Sequence, residues 1–494
     1  MNLSNSIGNV ISGRAFKLRE GEERRQLLHI FWFAVFVLLL VAFQTIDERP
    51  AEVSFGAALI FATALLPAYL WCRGKAHGLP IYPIFSLTHV WTCAIPMYTE
   101  HQAVSRFTSD EQFIGCLTVA GFLVIGTMIW YRLTSTPVRR GRSYIALEGG
   151  AAQKFFLGTF IASVVFTIAA IGGWFYFLSF GAFSVVRGFV LGLNALATFV
   201  LAYQWGRREM SRKMAALFGL TLLGYMVASA SSLMIVGALS TFVLAVIGFT
   251  IGRRQLPVVA TAVAMTCLVI LHYGKAPMRA KYPEQDGSNQ VQPWDYPAWF
   301  AEWAGYSLDA FLADEEKPTE EHSFLDRAST IHLLLMAQQR TAEGVPLLYG
   351  ETYVIIPRML IPRVLDPDKP IAHEGNSLLN IHYGLQTRES TNTTTIGWGL
   401  LNEAYANFGL LGVGALAVTL GWFYGQATRW SMHTPILSAR SLFTMLLLNF
   451  SLQSEFAASV YVTALFQSTV SLALVAFLFM RSRYFNLDAA PASV

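Results

Sequence analysis

The sequence is short of charge. Only 13% of its 494 residues are Asp, Glu, Lys or Arg, against 54% hydrophobic. Soluble domains carry about a quarter charged residues. A chain this apolar cannot coat a surface that faces water, so lipid is the expected solvent for most of it. Cysteine is scarce too. Cys72, Cys93, Cys116 and Cys267 lie within or at the ends of apolar stretches, without metal-ligand spacing and outside the long polar segment. Neither a disulfide framework nor a metal site follows, and the thiols read as small apolar side chains. The net charge of +4 is mild, and no basic run with interleaved aromatics points to nucleic acid. No internal repeat strong enough for an inverted-repeat transporter is visible.

What is present is a succession of apolar runs of about 18–22 residues, the length that spans a bilayer as helix. They fall near 26–46, 53–72, 81–99, 113–131, 155–178, 188–206, 214–231, 233–252, 257–273, 400–425, 441–457 and 459–480. The pairs meeting at 231 and 457 are joined by tight turns. The polar first 25 residues do not resemble a cleaved signal peptide. The expected fold class is an all-α polytopic membrane protein of about 12 transmembrane helices, with one large extracytoplasmic loop between helices 9 and 10. Residues 1–25 read as a cytoplasmic tail, 26–273 as a bundle, 274–399 as the loop, 400–480 as the last spans and 481–494 as a second cytoplasmic tail. Orientation comes from Lys and Arg, which favour the cytoplasmic side of short loops. Arg73/Lys75, Arg139/Arg140/Arg142, Arg207/Arg208/Arg212/Lys213, Arg253/Arg254, Arg429/Arg440 and Arg481/Arg483 all fall on one side of this helix list, with Arg24 and Arg25. The opposite short loops carry Asp47/Glu48, Glu100/Asp110/Glu111 and Glu455. Both termini are therefore expected in the cytoplasm.

The segment 274–399 is too polar to span and too rich in aromatic and branched residues to be disordered. Its early part, 284–326, is acidic. Trp299, Trp303 and Tyr306 recur at helical spacing with Phe300 and Phe311, which fits either a helix lying on lipid headgroups or one packed on the protein. Residues 324–342 read as helix, with Leu325, Ala328, Ile331 and Leu335 on one face. Pro346, Pro357, Pro362, Pro367 and Pro370 then punctuate a compact, irregular loop of the kind that carries function. Gly421 and Gly425 form a small-xxx-small pair that lets two helices approach closely.

Ionisable residues inside the spans are few: His29, His89, His272, Glu403 and Glu455 are the main ones. That scarcity argues against a proton-driven pump. Chemistry concentrates instead in I-P-R-M-L-I-P-R-V-L-D-P-D-K-P (356–370), H-E-G-N-S (373–377), T-N-T-T-T-I-G-W-G (391–399) and N-E-A-Y-A-N-F-G-L-L-G (402–412). Arginine forks bind phosphate oxygens in bidentate fashion and stay charged. Arg327, Arg340, Arg358, Arg363 and Arg388 are thus candidates for a diphosphate headgroup. His373, Glu374 and Glu403 are candidate general bases for a sugar hydroxyl; Asn376, Tyr405 and Asn407 are candidate substrate contacts. Glycosyl transfer from a diphosphate donor needs both services, charge stabilisation on the leaving group and activation of the acceptor. Each residue has a plainer alternative. Arg327 pairs with Asp326, Arg358 and Arg363 anchor to headgroups, His373 and Glu374 are surface groups, and Tyr405 and Asn407 hold helices together. No metal site is assigned: Asp366-Pro367-Asp368 has Asp-x-Asp spacing, but the proline fits a turn better. Asn392-Thr393-Thr394 is formally a sequon and reads better as a Thr-rich turn.

These segments, the late loop and the dozen spans together resemble the Wzy-type O-antigen or oligosaccharide repeat-unit polymerases. The resemblance is specific over about 323–425 and elsewhere rests on topology and hydropathy. It implies a GT-C-like membrane glycosyltransferase in the bacterial inner membrane, joining undecaprenyl-diphosphate-linked oligosaccharides at the periplasmic face without a cofactor. Arg327, Arg358 and Arg363 would correspond to the family's periplasmic arginines, and Glu403 to the acidic position before the last spans. The W-P-x-K-P form of the group lacks its Trp here, in Leu365-Asp366-Pro367-Asp368-Lys369-Pro370. The implied partners are the lipid-linked oligosaccharide, membrane lipids, a chain-length regulator and a flippase, with no nucleic acid. An O-antigen ligase shares the architecture and donor chemistry. A flippase for lipid-linked sugars would need a polar lining within the spans. A non-catalytic chain-length partner would need long coiled coils, which are missing.

Overall fold

Lipid offers the backbone no hydrogen bonds, so an apolar chain immersed in it must satisfy its amides internally as helix. A computed structural model describes residues 22–43, 50–99, 101–138, 142–147, 149–233, 235–282, 291–312, 329–392, 395–453 and 455–485. Each of the apolar runs becomes helical. In order these are α1 (Glu22–Phe43), α2 (Ala51–Cys72), α3 (Ile81–His89) continued by a π-helical turn (Val90–Ala94) and α4 (Ile95–Tyr98), then α5 (Ser109–Thr134), α6 (Gly149–Ile171), α7 (Phe180–Gly206), α8 (Arg212–Ala230), α9 (Ile235–Arg253) and α10 (Val258–Tyr273). The polar segment contributes α11 (Lys275–Lys281), α12 (Tyr296–Leu312), α13 (Ile331–Ala342), α14 (Glu351–Val354), α15 (Ile356–Met359) and α16 (Glu374–His382). The chain returns through α17 (Leu400–Ser431), α18 (Ala439–Ser451) and α19 (Ala458–Phe479). Among the described residues, 7 helices are long and apolar enough to cross a membrane: α2, α5, α6, α7, α8, α17 and α19. The pair α10–α11, bent by 46°, passes the same test only when taken together, as a broken span or a re-entrant loop. The run at 441–457 yields a helix of only 13 residues, α18.

Local chemistry sets the ends. Thr108 and Glu111 form a reciprocal capping box on α5, and Ser179, Ser211 and Ser438 cap α7, α8 and α18. Hydroxyls inside the bundle bond back to their own helix, as Thr118, Thr127 and Thr134 do along α5. Close packing rests on glycine. A Cβ on Gly421 would come within 2.6 Å of the Gly126 carbonyl oxygen, so the small-xxx-small pair clamps α17 onto α5. The α7–α9 contact uses Gly206, Gly248 and Gly252 in the same way. Cys72, Cys93 and Cys116 are buried as expected, whereas Cys267 on α10 is exposed.

One element was not foreseen in an all-α chain. Strands β1 (Arg142–Leu147) and β2 (Met480–Phe485) pair antiparallel, Arg142 opposite Phe485 and Leu147 opposite Met480. This ribbon brings two of the basic connections together. Arg429 donates to the Leu133 carbonyl and His77 to the Thr134 carbonyl at the same end of the bundle. The segment 329–399 sits at the opposite end, against the first turns of α5, α17 and α19. There Gln338 bonds Thr118, and Thr330 donates from its backbone to the carbonyl of Thr92 in the π turn. The aromatic helix α12 packs on the protein: Trp303 is fully buried and its indole N–H donates to the Leu271 carbonyl of α10. Residues 284–290 and 313–326 lie outside the described residues, as does Ala328.

Candidate functional site

The motif N-E-A-Y-A-N-F-G-L-L-G does not form a straight span. Within α17, Phe408 (φ −139°, ψ 15°) and Gly409 (φ 59°, ψ −146°) leave the helical region, and the chain folds sharply between two arms. Gly409 occupies a region essentially reserved for glycine. Gly412 passes so close to the first arm that a Cβ there would meet the Ala404 carbonyl oxygen at 2.2 Å. The break releases carbonyls that other groups must satisfy. The Ala406 and Asn407 carbonyls accept from the amides of Leu348 and Tyr349, each at 3.0 Å. Asn407 completes the splice. Its Oδ1 accepts from the Gly350 amide at 3.0 Å, and its Nδ2 donates to Thr352 Oγ1 and the Glu403 carbonyl at 2.8 Å. Asn407 is therefore buried and spent on holding the loop to the break.

Glu403, on the first arm, is 0% exposed. Its Oε2 accepts from the amide of Ala458, the first residue of α19, whose N-cap Ala457 has no side-chain acceptor. The carboxylate thus caps a second helix. Its Oε1 has no hydrogen-bond partner among the described residues and faces Gly375, where a Cβ would lie 3.7 Å away. Ser459 Oγ donates to the Ala372 carbonyl at 2.9 Å, which fastens the approach to α16 onto the same turn of α19. Glu403, Gly375 and Ser459 therefore join three elements at one point.

The other candidates fall around this joint. Glu374 opens α16 and holds Arg388 in an ion pair of 2.7 Å. Asn376 is buried and accepts from the Trp398 amide; the Trp398 indole donates to Asn380 at 2.7 Å. Tyr405 is half-buried and packs into the small core of α13, α16 and Trp398. His373, just before α16, stands at the surface, and the protein packed around its ring lowers its pKa below the usual histidine value. The second cause is the charge of Arg187 on α7, a residue the sequence reading passed over. Arg187 is exposed and no described residue accepts a hydrogen bond from it. Its signal in the sequence was a lone arginine at the edge of an apolar run.

The loop arginines do something else. Arg358 grips Asp366 with two bonds, 2.6 and 2.9 Å, which holds the Asp366 carboxyl below the usual carboxylate range. Arg363 donates to the carbonyls of Pro367 and Pro370, and Lys369 to those of Met359 and Ile361. Arg340 pairs with Glu343 on the exposed face of α13. Arg327 lies outside the described residues. The Asp-Pro-Asp turn has its first carboxylate committed to Arg358. Comparison with protein-family models, with curated proteins and with solved structures returns no match for this chain.

Proposed function

We propose that this chain polymerises undecaprenyl-diphosphate-linked oligosaccharide repeat units. In this reading it has about 12 spans and resides in a bacterial inner membrane with both termini in the cytoplasm. Segment 274–399 then lies in the periplasm, facing the outer leaflet from which the lipid-linked donor comes. The observation that carries the reading is the joint at the end of the bundle opposite the basic loops, where Ser459 fastens the His373 segment to α19 beside the Glu403 cap, with the charge of Arg187 acting on the His373 imidazole.

The pair supplies both services that the transfer requires. Arg187 offers an uncommitted guanidinium to the donor diphosphate, with Arg388 at the rim. The acceptor hydroxyl of one lipid-linked repeat attacks the anomeric carbon of the growing chain. The C–O bond to the diphosphate breaks, and polyprenyl diphosphate leaves with the electron pair, its charge met by arginine. The hydroxyl proton passes to the His373 imidazole and then to solvent. A lowered pKa keeps that imidazole neutral and able to accept at pH 7. Glu403, without solvent access, is a positioning residue.

Purified protein in nanodiscs, given its cognate undecaprenyl-diphosphate repeat unit and no nucleotide sugar, should produce a ladder of chain lengths. Arg187→Ala and His373→Ala should abolish it. Transfer seen only after adding lipid A core would make the protein a ligase, and movement of unaltered lipid across a vesicle would make it a flippase.

A further inference from the structure

The segment 358–370 spends much of its hydrogen-bonding capacity on itself. Pro362, Pro367 and Pro370 carry no N–H. The amides of Leu360, Ile361, Leu365, Asp366 and Lys369 donate to carbonyls within 357–366. The carbonyls of Met359 and Ile361 are taken by Lys369, and those of Pro367 and Pro370 by Arg363. The arginine and lysine charges that read as phosphate ligands in the sequence thus contact the hairpin's own carbonyls and Asp366. At its tip the hairpin presents two aliphatic side chains, Val364 at 66% and Leu365 at 76% exposed, with Asp368 and Arg358 exposed on its flanks. Irregular chain does not lie exposed within hydrocarbon, so a partly self-bonded tip of this kind belongs no deeper than the boundary with the headgroups.

Both stems of the hairpin are fixed to α19. Ala372 accepts from Ser459 on the way out, and Met359 Sδ meets Thr463 Oγ1 on the way in. Those anchor points are four residues apart, roughly 6 Å along the helix axis, so the base of the hairpin lies alongside the first turns of a spanning helix. Phe466, three residues beyond Thr463 and on the same helix face, is itself exposed, as a side chain facing lipid tails is.

We infer that the hairpin 358–370 is a wedge seated in the bilayer, with Val364 and Leu365 at the boundary between headgroups and acyl chains and Arg358, Arg363 and Lys369 serving as its internal braces. The partner is the lipid surface of the leaflet at that end of the bundle. The inference requires that the chain spans a membrane and is independent of the transfer chemistry, so its failure would leave the polymerase reading standing.

The test is spin-label accessibility in nanodiscs. A label is placed at Leu365→Cys in a Cys267→Ala background, with Phe466→Cys as the lipid-facing reference and Arg340→Cys as the aqueous one. Relaxation by oxygen is compared with relaxation by a water-soluble nickel chelate. A wedge gives an oxygen-to-nickel ratio at 365 several-fold above that at 340 and close to that at 466. A ratio equal to that at 340 puts the tip in water and overturns the inference. Low access to both relaxants means that protein covers the tip, a second copy included, and overturns it equally. If Leu365→Cys does not purify as a folded protein, Val364→Cys carries the same comparison.

Discussion

Replacing Glu403 by glutamine and by alanine separates the two roles a buried carboxylate can have. The structure gives it a cap to make: Oε2 accepts from the Ala458 amide, and neighbouring Ala457 offers no side chain that does so. Glutamine keeps an acceptor oxygen in nearly the same place and removes a carboxyl whose other oxygen has no described partner. Glu403→Gln should therefore unfold at the same temperature as the parent or higher, and retain polymerisation. Alanine takes away the acceptor, worth about 1 kcal/mol at a helix N-terminus. It also opens a cavity where several buried atoms stood, for about 2 kcal/mol more by comparison with large-to-small core changes. Glu403→Ala should lose about 3 kcal/mol and release the α16 segment together with His373. Thermal unfolding in detergent, read by intrinsic fluorescence beside the ladder assay, measures both. Loss of activity in Glu403→Gln by a factor of about 10² or more, at unchanged thermal stability, is the signature of a missing general base. That result would refute the assignment of Glu403 to positioning and move the proton transfer from His373 to the buried carboxylate.

Other substitutions probe the remaining parts. Because the His373 imidazole is held below its ordinary value of about 6.5, the neutral form persists to lower pH. The rate should fall only below that value as the ring protonates, and Arg187→Gln, which removes the second cause of the shift, should move any residual acidic limb upward in a pH–rate profile. Gly412→Ala drives a methyl into the Ala404 carbonyl, so the two arms of α17 must separate; a loss of about 1–3 kcal/mol should appear as a lower midpoint of thermal unfolding. Arg358→Asp should open the hairpin to limited proteolysis, and adding Asp366→Arg should restore protection, since the pair is mutual. Gly421→Val should separate α17 from α5 and reduce the yield of monodisperse protein on size exclusion.

The apolar helices were legible because hydropathy over some twenty residues is a property of composition, and lipid leaves helix as the single outcome. The clamp at Gly421 was legible for a similar reason, small residues at a four-residue interval. The break in α17 was not. Leu400 to Gly425 is apolar on average, and a hydropathy window cannot distinguish Gly409 and Gly412 in a fold-back from glycines packed in a straight helix. The β1–β2 ribbon escaped because Arg142–Leu147 and Met480–Phe485 acquire a partner only when α5 and α19 bring their ends together. At the site, Glu403, Gly375 and the His373 segment do converge, as the clustering of motifs suggested. Arg358 and Arg363 do not reach them as open cations, because charge in a sequence does not reveal that Asp366 and the carbonyls of Pro367 and Pro370 stand ready to absorb it. Arg187 was hidden by distance along the chain, since nothing local in α7 points to a loop nearly two hundred residues later.

The ribbon also bears on how the molecule is made. Its first strand follows α5, in the early part of the chain, and its second follows α19, so synthesis must reach residues 480–485 before the strands can meet. Until then α5 lacks α17 as well, the helix that its Gly126 is shaped to receive. The early helices must wait in the membrane with their mating faces open, and long-range closure of this kind is slow and exposed to wrong pairings. The last strand acts as a latch that closes after everything else is in place. Ribosome-bound chains halted before Met480 should be held open, and dependent on whatever shields unpaired helices during insertion.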